Sequence, residues 1–499
     1  MKRIYVILLL VFLPMFSWGQ EFVPWDSYYW QDSASNSQEY DFDFHSAIYP
    51  RINKRRTDFG ANLDKSYLPK RWSFMPVSDF VVGLSRPGNA RIGAGFAANY
   101  VPIRGMHLRF AYVAGYAIDE TSPYGGSASP YSFLRWNIPN FGTHYHDIRT
   151  RLSYSPNKYF NFQVGLDQNR FGEGDRSLLL DDYGSPYPFA GLRLKLWRAE
   201  YVLLHTYLHT PNPGQSNFRP KHSTMHYLSL NLFKGFNIGF FEAVVYDGVI
   251  EGQRRGFEFE YLNPMVVYRP VEYGLGSTDK IQIGVNLSYR FSPKLMLYGQ
   301  VIIDEFLLKE VRARNRWWAN KFGFQFGLKG QSEWNDGQIS YSSEVNLVRP
   351  FTYGHNNPGQ SFTNMNLPLA HPYGANFAEN STRFLYRKNH WDYGLDLVYL
   401  LRGENTNYQY GSDINISNMN RPIDEDGKRI DYGYHIGSGM KYNLLKLQAT
   451  VGYQIFPKYR MRAFITLDSS WLSQQGSTNN YIGVFFGFRS ELWNDRRNY

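Results

Sequence analysis

The chain has 499 residues, a formal charge of +10, no cysteine, and an aromatic share of 18% set against only 19% charged residues. The missing cysteines exclude disulfides, thiol chemistry and a lipidated N-terminal Cys. A soluble protein this aromatic would bury its rings in long apolar segments, and after the first twenty residues none exists. The excess positive charge is unclustered and gives no case for a nucleic-acid partner.

In chain order, Met1–Gly19 has a basic start at Lys2 and Arg3, an apolar run, and small residues Ser17 and Gly19 before a cut at Gln20. It reads as a secretory signal peptide. Residues 20–78 show no sustained alternation and carry the basic run Lys54-Arg55-Arg56. They are expected to form a periplasmic or lumenal extension with short helices.

From residue 79 to 499 the dominant signal is a period of two. Ile281, Ile283, Val285, Leu287, Tyr289 and Phe291 alternate with Gln282, Gly284, Asn286, Ser288 and Arg290. One face suits lipid and the other water. Phe160–Leu166, Phe322–Leu328, Leu447–Ile455 and Tyr481–Trp493 repeat the pattern. Short turn clusters are expected at 155–158, 233–235, 292–294, 443–446 and 456–458, and long polar loops at about 210–224, 349–389 and 403–430. Short turns at one end and long loops at the other predict an all-β fold: a transmembrane outer-membrane barrel of about 16 to 18 antiparallel strands. A soluble propeller would need a repeat of 40–50 residues, which is absent. The last strand should close the barrel, with Ile482, Val484, Phe486 and Phe488 facing lipid and Gly487 facing the lumen, where Arg should be tolerated better than at Phe486.

One segment breaks the alternation. Asn169–Trp197, "NRFGEGDRSLLLDDYGSPYPFAGLRLKLW", crowds Arg170, Glu173, Asp175 and Arg176 into a Gly-rich turn, then sets Leu178–Leu180 before Asp181 and Asp182. The charges are expected to neutralise one another at the lumen mouth and to anchor a leucine segment folded inward. Asp304 and Glu305 are expected to be acidic groups of the lumen. Arg312, Arg314 and Arg316 recur at period two beside Trp317 and Trp318. Guanidinium forks and stacking rings could hold an anionic sugar, and an arginine ladder stiffening the wall is the competing reading.

The segment "NRFGEGDRSLLLDDYGSPYPFAGLRL", with Phe259–Phe306 as a second match, resembles the Wzi-type capsule assembly outer-membrane proteins, in particular their Bacteroidota relatives, some associated with gliding motility of the RemB type. The resemblance covers roughly residues 160–328. It implies a barrel with a partly plugged lumen that holds polysaccharide at the cell surface, with no chemistry of its own. The alternatives are an outer-membrane component of gliding or secretion machinery, or a diffusion porin. The expected location is the cell outer membrane, and the expected partners are its lipid and lipopolysaccharide, surface polysaccharide and other outer-membrane proteins.

Catalytic function has thin support. Asp181-Asp182 mimics an acidic pair, and His144, His146, Asp147 and the pair His222/His226 have strand-spaced imidazoles. Each lacks the third group a metal site needs, and GxSxG, HExxH and phosphate-loop patterns are absent. No enzyme activity, metal or cofactor is expected.

Overall fold

The computed structural model describes residues 21–22, 45–50, 52–53, 72–84, 90–103, 105–118, 134–138, 142–212, 217–250, 253–256, 258, 261, 279–292 and 294–490. The signal-peptide segment, the basic run at 54–56, most of the extension and most of residues 259–278 lie outside them.

Eighteen antiparallel strands close into one barrel. They are β1 (Trp72–Gly83), β2 (Ala90–Tyr100), β3 (Met106–Ile118), β4 (Gly142–Tyr154), β5 (Phe160–Asp167) and β6 (Tyr187–Leu196). Next come β7 (Ala199–Pro211), β8 (Phe218–Phe233), β9 (Phe236–Asp247), β10 (Lys280–Ser292), β11 (Leu295–Glu305) and β12 (Lys321–Trp334). The circuit ends with β13 (Gly337–Val348), β14 (Phe377–Lys388), β15 (Trp391–Glu404), β16 (Met440–Phe456), β17 (Met461–Gln474) and β18 (Ser477–Ser490). A short strand, Leu134–Ile138, adds to the upper part of β4. Closure is made by β18 against β1, with Phe486 opposite Val82 and Phe488 opposite Phe80. No open sheet edge is left to the bilayer, as spanning β-structure requires.

The first strand begins at Trp72, ahead of the boundary expected at 79, and includes Pro76. Residues 443–446 lie inside β16 and form no turn, because Leu445 points outward and Leu444 inward in unbroken alternation. The loop expected at 210–224 shrinks to the residues between Pro211 and Phe218, the chain on either side being paired strand.

Alternation holds around the wall. Ile283, Leu287, Phe324, Phe326, Leu395 and Ile465 are exposed on the outside, while their neighbours Gln282, Asn286, Gln325 and Thr466 are buried inside. Rings gather near the short turns, as in the Phe233–Phe236 stack (4.7 Å) and the Tyr289–Phe291 pair (4.5 Å). Such a girdle marks a membrane interface. Every long connection leaves the opposite end, which is therefore the extracellular one.

Inside, the two ends differ. Toward the short turns the lumen wall is polar: Asn161 donates to Ser153 and Ser155, both at 2.8 Å, and Asn237 donates to Ser229 (2.8 Å) and Asn231 (2.7 Å). Toward the long loops it is an apolar core. Wall residues Leu204, Leu208, Met225, Phe241, Ile302, Val348, Leu400 and Leu444 pack with side chains of inward-folded loops. Strand alternation predicts a polar inward face, and the extracellular half departs from it because chain segments enter there and need an apolar surface to dock on.

Candidate functional site

The leucine segment occupies the lumen. Leu178, Leu179 and Leu180 are each 0% exposed, in one cluster with Phe171, Tyr353, Phe362 and Leu369. Three stretches of chain meet there: residues 168–186 between β5 and β6, residues 349–376 between β13 and β14, and His45–Pro50 from the N-terminal extension. In the last, Ile48–Tyr49 is a two-residue strand that follows a turn. Ile48 and Tyr49 pair with Phe171 and Arg170, the Gly172 N–H donates to the Ala47 carbonyl (2.8 Å), and His45 bonds Ser229 of the wall (2.8 Å).

Glycines set how close these segments approach the wall. Gly172 has φ +139°, and a Cβ there would stand 2.1 Å from Gln300 Nε2. A Cβ on Gly284 of β10 would meet a Leu179 methyl at 2.4 Å.

The charged turn is neutralised by the wall as much as by itself. Arg170 pairs with Asp181 within the segment (3.3 Å). Glu173 pairs with Lys329 of β12 (3.0 Å) and accepts from Ser46. Asp175 accepts from Ser342 of β13 (2.7 Å), and Arg176 stands 3.9 Å from Glu379 of β14. Glu344 of β13 caps the turn by accepting the backbone N–H groups of Asp175 (2.8 Å) and Arg176 (3.0 Å). Gln300 accepts from the Leu178 N–H (2.7 Å) and Gln325 donates to the Arg176 carbonyl (2.9 Å). The expected self-contained network is thus corrected to one that bolts the turn to β11–β14.

Asp181 is buried and Asp182 half-buried at the end of the turn. Asp181 accepts from the backbone N–H groups of Ser177 (3.1 Å) and Asp182 (2.9 Å), a turn-forming role. Burial pushes its carboxyl up against the pull of Arg170.

Two wall lysines hold the second loop. Lys221 donates to the Ser361 carbonyl and the Thr363 hydroxyl, both at 2.8 Å. Lys280 pairs with Asp304 (2.6 Å) and donates to the Gly354 carbonyl (3.0 Å), while the Tyr353 N–H donates to Asp304 (2.9 Å). Tyr353 in turn donates its hydroxyl proton to the Leu178 carbonyl (2.8 Å), tying the two loops together. Asp304 is buried on the lumen side of β11. Glu305 sits at the rim, its side chain 44% exposed and paired with Lys321 (2.8 Å).

Residues 309–318 are no strand, so the arginine ladder fails. Leu308–Arg312 is one helical turn, and Arg314 and Arg316 take left-handed φ of 52° and 58°. The three arginines are exposed on the extracellular cap. Trp318 is a pillar and not a sugar platform: the Arg421 guanidinium lies 3.7 Å above its ring, Lys321 is at 4.9 Å, and Phe351 meets it edge-on. Trp317 is half-buried beside it. The segment is clamped to the loop after β15 by bonds from Trp318 N–H to Asp431 O (2.8 Å), Gly433 N–H to Asn315 O (3.1 Å) and Tyr434 N–H to Arg316 O (3.0 Å).

The histidine pairs are separate from all this. His144 and His146 face away from Asp147, which is buried and paired with Arg149 (3.1 Å). His222 and His226 alternate with inward residues of β8 and lie on the outer wall, buried with Tyr246 and Tyr261; His226 bonds Tyr201 (2.9 Å). Among the described residues no three such groups converge as metal ligands. Sequence reasoning missed Lys221, Lys280, Gln300, Glu344 and Glu379. Their signal was there: polar residues at inward positions of otherwise apolar strands.

Fold and geometry together define a large barrel of the outer-membrane type whose extracellular half is filled by its own loops. Among solved structures it is similar to Wzi from Escherichia coli, described as a carbohydrate-binding β-barrel involved in group 1 capsule assembly, with TM-score 0.58 at 11% identity, over 95% of this chain and 100% of that one. A BenF-like porin from Pseudomonas fluorescens Pf-5 aligns more loosely, with TM-score 0.43 at 8% identity over 83% of this chain and 96% of its own. No family model and no curated protein matches the sequence.

Proposed function

We propose that this barrel holds surface polysaccharide at its extracellular cap, acting as a scaffold and neither as a conduit nor as a catalyst. The observation that carries the reading is the occupied lumen: Leu178–Leu180 and the loop at 349–376 are bolted to the wall where a diffusion channel needs water. The fold similarity to a carbohydrate-binding barrel supports the same direction.

The sugar-facing surface in this reading is the loop after β15. It exposes Tyr408 (39%) and Tyr432 (52%) with Lys428 and Arg429, rings and cations suited to sugar faces and acidic substituents. Its backbone is fixed from below by Asn376, which donates to the carbonyls of Gly403 (3.1 Å), Tyr410 (3.2 Å) and Ser438 (2.8 Å).

The test combines two measurements. Purified protein in planar bilayers should conduct far less than a porin of similar strand number. Cells carrying Tyr408→Ala with Tyr432→Ala should retain less surface polysaccharide while the barrel still assembles. Porin-like conductance would overturn the scaffold reading. Unchanged retention together with a stably co-purifying protein partner would favour a machinery component.

A further inference from the structure

The rim segment Phe306–Arg316 has features that the polysaccharide reading does not use. β11 runs Leu295–Glu305, about the length that crosses one bilayer. Residues directly after Glu305 therefore emerge at the outer membrane interface. Phe306 lies on the lipid side, since its ring meets Phe322 (6.1 Å), which meets Phe324 (5.4 Å), an outward residue 46% exposed. The apolar band of the wall thus continues into the segment.

There the chain exposes Phe306 (47%), Leu307 (44%), Leu308 (47%) and Val311 (37%). Leu308 and Val311 are three residues apart on one helical turn and so share a face. Lys309, Arg312, Arg314 and Arg316 are exposed beside them, and none is in an ion pair with a described residue. The one acidic residue of the stretch, Glu310, is bonded to Asn315. Left-handed φ at Arg314 and Arg316 and the clamp to residues 431–434 fix the backbone that carries these cations.

Exposed apolar side chains next to cations that no described residue pairs, at interface height, suit a ligand with acyl chains and anionic headgroups. We infer that Phe306–Arg316 is a binding site for a phosphorylated glycolipid of the outer leaflet, with Phe306, Leu308 and Val311 against acyl chains and Lys309, Arg312, Arg314 and Arg316 on lipid-borne phosphates. Guanidinium groups bind phosphate through paired N–H donors. The site steadies the rim on which the polysaccharide-facing loop is clamped. It stands independently of the proposed function, because it is read with lipid and not with polysaccharide.

The experiment titrates purified protein in detergent with bisphosphorylated lipid A and, separately, with the same lipid after phosphate removal, following the bound adduct by native mass spectrometry. The phosphorylated lipid should bind more tightly. The variant Arg312→Gln, Arg314→Asn, Arg316→Asn should lose affinity for it on the order of a hundredfold and keep its heat-modifiable gel mobility. Asn is chosen at the two left-handed positions because it tolerates them. If the triple variant fails to assemble, Arg312→Gln alone should still weaken binding roughly fivefold. Leu308→Ser with Val311→Ser should weaken both lipids alike. Equal binding of the two lipids, or unchanged binding by the arginine variants, overturns the site. A soluble acidic polysaccharide that binds wild type but not the triple variant, and displaces the lipid from wild type, assigns the cations to the sugar chain and overturns it too. Polysaccharide retention read through Tyr408 and Tyr432 is unaffected by either outcome.

Discussion

Glu344 offers a direct measure of how firmly the turn at 173–180 is held. Its carboxylate accepts the N–H groups of Asp175 (2.8 Å) and Arg176 (3.0 Å), the Tyr298 hydroxyl (2.9 Å) and the Asn346 amide (3.0 Å). Only the first two bonds join the lumen segment to the wall. Leaving a buried donor unsatisfied costs about 1–3 kcal/mol, so Glu344→Leu, which orphans two N–H groups of the turn, should weaken docking by about 2–6 kcal/mol. The bonds to Gln300, Gln325 and Lys329 remain, and the barrel itself should still assemble. Hydrogen exchange followed by mass spectrometry should then show faster exchange across Glu173–Leu180, with β11–β14 still protected. Glu344→Gln keeps one acceptor oxygen and should fall between. In planar bilayers the Leu variant should show brief openings absent from wild type. If exchange in the turn is the same in all three proteins, Glu344 is not a docking bolt and the account of an anchored lumen segment is wrong.

Other expectations follow from the same geometry. Leu179→Ala removes a fully buried side chain packed on Gly284 and Ile302 and should cost about 2–5 kcal/mol, seen as a lower denaturation midpoint of the lumen segment by hydrogen exchange. Phe486, outward and 41% exposed, should lose about 2–4 kcal/mol on change to Arg near mid-bilayer, read as reduced assembly. Its inward control is Gln448→Arg, which places a cation near Asp468; equal damage at both positions would show that the register is wrong. His355, in the loop at 349–376, has its pKa lowered from 6.5 to about 4 by burial, with Lys280 and Lys321 adding to the effect. The docked loop holds it neutral while an undocked loop would protonate near pH 6.5, so docking is complete above that pH and weakens as pH falls toward 4, by on the order of 3 kcal/mol. Protection factors of the 350–362 backbone, which correct exchange for its intrinsic slowing in acid, should therefore fall between pH 6.5 and 4, and His355→Gln should flatten that dependence.

The wall was legible because a barrel strand has one rule, alternation, and each strand obeys it locally. That rule placed Ile281–Phe291 and the closing strand on their faces. It could not tell which inward positions face water and which face chain. Gly487 shows the limit: expected on the lumen face and to tolerate Arg better than Phe486 does, it is buried, and a Cβ there would meet the Phe464 ring at 2.1 Å. Residues 309–318 show another. Arginines two apart mimic a strand face, but Arg314 and Arg316 are left-handed and no partner strand flanks them. The charge pairs across the lumen join positions far apart in sequence, such as Glu173 with Lys329, and only the closed barrel brings them together. The triplet Leu178–Leu180 was readable as an intruder because three leucines in a row cannot satisfy a lipid face and a water face at once.

The occupied half of the lumen bears on how the cap could work. Loops that bind a flexible, hydrated chain lose affinity to the ordering of their own backbone, and rigid support lowers that loss. Here the support is continuous. Leu178 is bonded through its carbonyl to Tyr353. In the loop carrying Tyr353, the His355 carbonyl accepts from the Asn418 N–H and the Phe351 N–H donates to the Gly411 carbonyl, and Asn376 at its end clasps both sides of the loop after β15. The apolar core thus does for the extracellular loops what a soluble core does for its surface strands. In this barrel the segments that fill the lumen are bonded in turn to the loops of the cap. Tyr353→Phe tests the linkage, since it removes one bond at the base of the chain and touches nothing exposed. Faster exchange at 411–420, remote from the substitution, is the expected result, and a change confined to 178–180 would mean the loops are held independently.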